Sequence, residues 1–188
     1  MSQMDDKNLL ETKVSSKQLY DGRVVRLFQD QVTLPDGRPA MREVIRHPGG
    51  VGILPLREDG MVYVVRQCRY PYAQVITEIP AGKLEYGEDP LACGKRELME
   101  EVGAEASNWV FLGNIYPTPA YDDEIIRIYL ATGLTFFQQH LDDGEFLELD
   151  IVPFQQLVEQ VMAGEICDAK TQIAVLKTQR LLDQGLQF

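Results

Sequence analysis

Three glutamates, Glu97, Glu100 and Glu101, follow directly on Arg96. Side chains three and four positions apart share a face of a helix. Glu97 is therefore set beside both Glu100 and Glu101, and Arg96 lies one turn from Glu100. Two like charges about 4 Å apart repel by roughly 4 kcal/mol at an effective dielectric of 20, so such a cluster needs compensation. One arginine supplies part of it. A hard divalent cation supplies more, because Mg²⁺ and Mn²⁺ take oxygen ligands. The competing reading is a glutamate-rich helix face that simply stands in water.

The segment before the helix favours the cation. Glu78-Ile-Pro-Ala-Gly82 and a loop containing Gly87 lead into it. Two glycines give the backbone freedom to pass close to a bound group, which leaves the Ala81 carbonyl available as a further oxygen ligand. Asp89-Pro90 opens the helix, with Asp89 as N-cap and Pro90 at the first helical position, where its missing N–H costs nothing. Leu91, Leu98 and Val102 recur at helical spacing, and Gly103 ends the run.

Around this helix, residues 24–34 and 38–46 read as a β-hairpin turning at Pro35-Asp36-Gly37. Residues 51–56 and 61–69 read as a second hairpin around Glu58-Asp59-Gly60. Shorter strands are expected at 74–79, 108–116, 124–131 and 146–152, and two helices at 154–163 and 169–182. Strands and helices alternate irregularly, which predicts an α/β fold with a mixed sheet rather than a doubly wound parallel one.

Composition bounds the function. The chain has 188 residues, 45% of them hydrophobic, enough for one ordinary core and a small appendage. No run approaches the length of a membrane span, and the polar start, Met1 to Lys13, does not read as a signal peptide. Cys68, Cys93 and Cys167 lie far apart, which fits a reducing cytoplasm and small, semi-buried apolar roles better than a disulfide or zinc framework. The net charge of −11 disfavours nucleic acid and anionic membranes as partners. It would also repel a phosphorylated substrate unless cations lie between. The few serines, Ser2, Ser15, Ser16 and Ser107, form no nucleophile elbow, so activated water is expected rather than a protein nucleophile.

Residues 82–104, GKLEYGEDPLACGKRELMEEVGA, resemble a complete Nudix box, G-x5-E-x7-R-E-U-x-E-E-x-G-U, where U is a bulky aliphatic residue. It is filled by Gly82, Glu88, Arg96, Glu97, Leu98, Glu100, Glu101, Gly103 and Ala104. Ala104 is the one departure, smaller than usual at a position that packs the core. The fixed identities match by chance on the order of 10⁻⁹ per starting point. The resemblance implies the Nudix fold, a mixed β-sheet sandwiched between helices. It implies that Glu97, Glu100, Glu101 and the Ala81 carbonyl hold Mg²⁺, with Mn²⁺ possible. By the same likeness Arg96 orients the glutamates, and Glu88 stabilises the loop–helix–loop with Gly82 and Gly103.

The likeness extends from about Leu19 to Leu182 and resembles the ADP-ribose pyrophosphatase branch. It includes Arg42-Glu43-Val44, Arg66-Gln-Cys-Arg-Tyr-Pro71, Tyr116-Pro-Thr-Pro119, and Pro119 standing 16 residues after Gly103. It implies a small N-terminal β subdomain, residues 1–47, that builds a homodimer and helps bind the base, followed by a hydrolase domain, residues 48–188. Arg42, Arg69, Glu78 and Pro119 would contact a small nucleoside diphosphate substrate, Arg69 through forked donors suited to phosphate. Glu145 is the candidate further metal ligand or general base, with Glu148 as competitor; Asp142-Asp143-Gly144-Glu145 reads equally as an acidic hairpin tip. Each charged residue singled out has a competing reading as a solvated or paired surface charge. His47 and His140 read as turn and loop residues, and Trp109, Phe136 and Phe137 as core or interface.

The expectation is a cytoplasmic, metal-dependent enzyme that hydrolyses ADP-ribose to AMP and ribose 5-phosphate. The same chemistry on another nucleotide sugar, such as GDP-mannose, is the alternative. Tyr121 keeps diadenosine polyphosphates open, whereas the absence of a four-cysteine element disfavours NADH. A rival of another class is a binding module that senses a nucleotide without cleaving it, though such modules typically lose box glutamates.

Overall fold

The computed structural model describes residues 6–141, 144 and 146–185. By contact the chain forms two compact units, Met1–His47 with Tyr116–Glu124, and Pro48–Ile115 with Ile125–Phe188.

The first unit is built on an antiparallel sheet ordered β1-β2-β3, with β1 Thr12–Asp21, β2 Arg26–Thr33 and β3 Pro39–Arg46. The β2–β3 hairpin closes as the Pro-Asp-Gly signal predicts: the Leu34 amide donates to the Arg38 carbonyl at 2.8 Å, and Gly37 adopts φ 84°. A positive φ there is cheap only for glycine. Strand β1 was not legible in the sequence. All of its residues are exposed, so no apolar alternation marks it, and its pairing with β2 is interrupted by two register shifts. The buried Asp30 on β2 ties the sheet together: Ser16 donates a hydrogen bond to it, and Arg46 Nη2 lies 2.9 Å away.

The second unit contains two sheets. A mixed sheet is ordered β7-β4-β9-β8, with β4 Gly50–Pro55, β7 Ala81–Lys83, β8 Ala104–Ile115 and β9 Ile126–Phe136. Here β4 runs parallel to β9 and antiparallel to β7. The other sheet is antiparallel, ordered β10-β5-β6, with β5 Met61–Arg69, β6 Gln74–Glu78 and β10 Leu147–Pro153. Three helices complete the unit: α1 Pro90–Glu97, α2 Phe154–Ala163 and α3 Ala169–Asp183.

Every residue of β4 is buried, the signature of a strand covered on both faces. Leu54 joins Ile79, Ile128, Leu157 and Val175 in one core, against α2 and α3; Val51 and Ile53 join Cys93, Leu98, Val102 and Ala104 in another, against α1. The mixed sheet is thus held between helices. Ala104 is fully buried, in keeping with its place as a small packing residue.

The expected hairpin over 51–56 and 61–69 is corrected. The turn forms, with the Arg57 amide donating to the Met61 carbonyl at 2.9 Å. Beyond one bridge, Leu56 to Val62, the two strands part into different sheets. Both edges of β4 are already taken, by β7 and β9. The expected semi-buried character of the cysteines also holds only for Cys93; Cys68 and Cys167 are exposed.

At the start of α1 the Asp89 carboxylate accepts from the Ala92 amide at 3.0 Å, with Pro90 in the first turn. Replacing Asp89 with Ala removes this cap and should cost about 1 kcal/mol, read as a lower urea midpoint with an unchanged slope.

Candidate active site

The helical path does not stop where α1 ends at Glu97. It widens into a π-helical turn, Leu98–Val102, closed by Gly103 at φ 67°. A wide turn inside an α-helix often marks a functional site. The carbonyls freed at its end find donors in the segment after β9: the Gln139 side-chain amide donates to the Glu101 carbonyl, and the His140 amide to that of Glu100 at 3.2 Å. Gly103 is required on two counts. Its φ is positive, and a Cβ there would stand 2.7 Å from the Phe137 carbonyl oxygen.

Arg96 is the hub of the box. Its Nη1 donates to Glu97 at 2.7 Å and to Glu100 at 3.0 Å, while Nε and Nη2 face the two Glu88 oxygens at 3.2 and 3.3 Å. Glu88 also accepts from the Glu85 amide at 2.9 Å, bracing the loop. The Arg96 hydrogen bond holds the Glu88 carboxyl below its ordinary range. Burial works against the charge on Arg96, but contacts with Glu88 and Glu97 outweigh it and hold the guanidinium above its usual value.

Glu97 and Glu101 are buried, at 8% and 3% exposure, and both meet β7. A Cβ on Gly82 would fall 1.7 Å from Glu97 Oε1, so only glycine leaves this carboxylate room against the strand. The Ala81 amide donates to Glu101 Oε2 at 3.0 Å. This contact is made through the Ala81 N–H.

Glu88, Glu97 and Glu100 gather around Arg96, while Glu101 meets the Ala81 amide. Among the described residues, no group of three or more Asp, Glu, His or Cys stands close enough to hold an ion. The donor set nevertheless suits a hard divalent cation, because its members are oxygen donors and two are carboxylates held out of water beside a backbone edge that glycine keeps open.

Arg69 and Glu78 are brought together, and they face each other. Arg69 Nε and Nη2 donate to the two Glu78 oxygens at 2.6 and 2.8 Å. Lys170 donates to Glu78 as well and lies 3.0 Å from Asp168. Burial would raise the Glu78 pKa, but the Arg69 and Lys170 contacts outweigh it and hold the carboxyl below the glutamate range. Sequence reasoning missed Lys170. A signal existed: a lysine in the first turn of a helix meets the positive end of the dipole and calls for an acidic partner.

Glu148, the competitor base, pairs with Arg66, whose Nε also donates to Asp150 at 2.6 Å. This pair edges an open cleft of about 430 Å³ lined also by Cys68, Val75, Leu141 and Phe146. Glu145 lies outside the described residues. Arg42 belongs to the first unit, where its Nε donates to Glu11 at 2.9 Å, and Pro119 belongs to that unit's second segment. His47 is a turn residue: its amide donates to Asp123 at 2.8 Å and its ring faces Glu124. Trp109 packs edge-on against Tyr129 at 6.1 Å, and Phe136 leans on Tyr63 at 5.2 Å.

Comparison with known proteins gives a consistent picture. Residues 46–171 match the NUDIX domain, and residues 11–45 match the nucleoside diphosphate sugar hydrolase N-terminal domain. The chain is 37% identical over 183 residues to the ADP-ribose pyrophosphatase of Bacillus subtilis (strain 168), covering 96% of this chain and 98% of the relative. It is 39% identical over 167 residues to the methanol dehydrogenase activator of Bacillus methanolicus, covering 88% and 90%. The crystal structure of an ADP compounds hydrolase superposes with a TM-score of 0.80 over 93% of this chain and 96% of that one, at 19% identity. That likeness speaks for the fold.

Glu78 generates a pH prediction. Its folded pKa is depressed, so the stability it contributes is fully present above its unfolded pKa and lost as pH falls through the folded value. The urea midpoint of the wild type should exceed that of Glu78→Gln by a constant gap at neutral pH. That gap should close only as pH drops below the ordinary glutamate range; a gap insensitive to acid would remove the charged pair as its source.

Proposed function

The chain belongs to the Nudix family, and on that premise we propose that it hydrolyses ADP-ribose to AMP and ribose 5-phosphate with activated water. One observation carries the reading. The box glutamates Glu88, Glu97 and Glu100 are held by Arg96, and Glu101 by the Ala81 amide of β7, in a chain that aligns almost end to end with an ADP-ribose pyrophosphatase.

Glu97, Glu100 and Glu101, with the Ala81 carbonyl, would hold Mg²⁺ or Mn²⁺. When bound, such a cation neutralises diphosphate charge and acidifies water. The protein's own contribution is positional and electrostatic. Arg96 fixes Glu97 and Glu100, and the Ala81 amide Glu101, before substrate arrives, so no rearrangement is needed at the moment of reaction. Gly82 keeps the strand backbone close to Glu97. Arg69 gives two of its N–H groups to Glu78; arginine carries five, and those outside this pair are assigned to a phosphate oxygen of the substrate. Glu145 is assigned as the general base or further ligand, because Glu148 is engaged by Arg66.

The N-terminal β subdomain, residues 1–47 as read from the sequence, is assigned to dimer formation and base binding with Arg42; Pro119 is assigned to the substrate pocket. Val14, Leu19 and Tyr20 on β1 are exposed at 64%, 46% and 58%, apolar surface that supports an interface between two copies. No described helix is long and apolar enough to cross a membrane, and the enzyme is assigned to the cytoplasm.

Incubation with ADP-ribose and Mg²⁺, alongside GDP-mannose, NADH and diadenosine tetraphosphate, tests the substrate. AMP should appear chiefly from ADP-ribose and disappear with EDTA. Preference for GDP-mannose would keep the chemistry and replace the substrate, whereas tight binding without any product would favour a sensing module. Glu101→Gln should keep the fold, by circular dichroism, and lower kcat by about two orders of magnitude or more. Near-normal turnover in that variant would sink the metal assignment.

A further inference from the structure

Lys170 is the second residue of α3 and is only 8% exposed. A buried ammonium is costly unless paired, and its place in the first helical turn adds an unfavourable dipole. Glu78, at 1% exposure, and Asp168 offset both. Asp168 is itself fixed. Its Oδ2 accepts from the Thr171 amide at 2.9 Å and from the Thr171 hydroxyl at 2.6 Å. The same hydroxyl oxygen accepts from the Ile79 amide at 2.8 Å.

The first turn of α3 therefore grips the last residue of β6 and the one after it, Glu78 through its carboxylate and Ile79 through its backbone. The chain then runs directly into Ala81 and Gly82, which meet Glu101 and Glu97. Glu78 Oε2 is shared between Lys170 and Arg69 Nη2. Arg69 and Glu78 alone would neutralise each other. A second cation on the same carboxylate leaves part of the guanidinium charge for an outside anion and locks the carboxylate plane that orients it.

We propose that Lys170 is a positioning residue for the substrate diphosphate, fixing the Arg69 guanidinium through Glu78 and keeping its charge available. This rests on the pyrophosphohydrolase reading above. Removing a lysine that only stabilised the fold would lower the melting temperature and leave the kinetic constants of the folded enzyme alone. A positioning lysine changes substrate binding through Arg69 and is replaceable by another cation.

The test uses Lys170→Met, Lys170→Arg, Arg69→Ala and the double variant Arg69→Ala/Lys170→Met, with ADP-ribose and Mg²⁺. Lys170→Met should raise KM about tenfold, equivalent to about 1.4 kcal/mol, with kcat changed less than about threefold. Lys170→Arg should restore most of the loss. In the Arg69→Ala background the lysine substitution should add nothing further, because both act on one contact. A ligand-free readout is the ¹⁵N NMR signal of the Arg69 Nε–H, expected to be protected from solvent exchange in the wild type and Lys170→Arg and to exchange faster in Lys170→Met. A wild-type KM in folded Lys170→Met, additive effects in the cycle, or unchanged Arg69 exchange would each overturn the proposal. If Lys170→Met fails to fold, Lys170→Gln carries the same cycle. If the wild type hydrolyses no nucleotide substrate, the functional reading fails, and the Arg69 exchange measurement alone then decides whether Lys170 fixes the guanidinium through Glu78.

Discussion

Concentrated negative charge is the constraint around which the second unit is arranged. Glu88, Glu97 and Glu100 all contact one guanidinium, that of Arg96, and without it their repulsion would push the loop, α1 and the π turn apart. Arg96 is suited to this because its fork offers donors in several directions within one plane. A lysine would supply charge without geometry. The result is a set of carboxylates held at close quarters before any ligand arrives, the condition for electrostatic catalysis without reorganisation.

Holding the carboxylates is useful only if the surface opposite them is equally fixed. That surface is backbone: the Ala81 amide and the Gly82 main chain on the short strand β7. β7 has little hold of its own, being three residues long. It is fixed on one side by pairing with β4, a strand buried on both faces between the two cores, and at its start by the grip of α3 on Glu78 and Ile79. Packing, strand pairing and ionic contacts thus converge on a few main-chain atoms.

Much of this site was legible in the sequence because the chemistry dictates residue types. Glycine where a Cβ would strike a carboxylate, glutamates at spacings that share a face, and Asp-Pro at a helix start each leave a recognisable mark. The α/β class and the mixed sheet were legible from the irregular alternation of strand-like and helix-like segments, and α1, α2, α3 and the β2–β3 turn from their periodicity and turn residues. Other features left no such mark. The π turn uses ordinary helix formers, so Leu98–Val102 reads as plain α-helix. β1 is exposed throughout and lacks alternation, and β7 is too short for a periodicity. The 51–69 segment carries a true turn signal, but turn chemistry does not say which neighbours a strand will choose once its edges are taken. The Arg69–Glu78–Lys170 network escaped because its members lie up to about a hundred residues apart and each alone resembles a surface charge.

Cys93 gives helix α1 a built-in reporter. The thiol is fully buried against β4, and burial with the nearby Glu88 pushes its pKa up to about 12, so it is unreactive while α1 is seated. Cys68 and Cys167 are exposed and can be blocked first. Any slower alkylation of the remaining thiol then counts the openings of α1 away from its sheet, and the fall in that rate on adding metal or nucleotide measures how firmly each one clamps the helix.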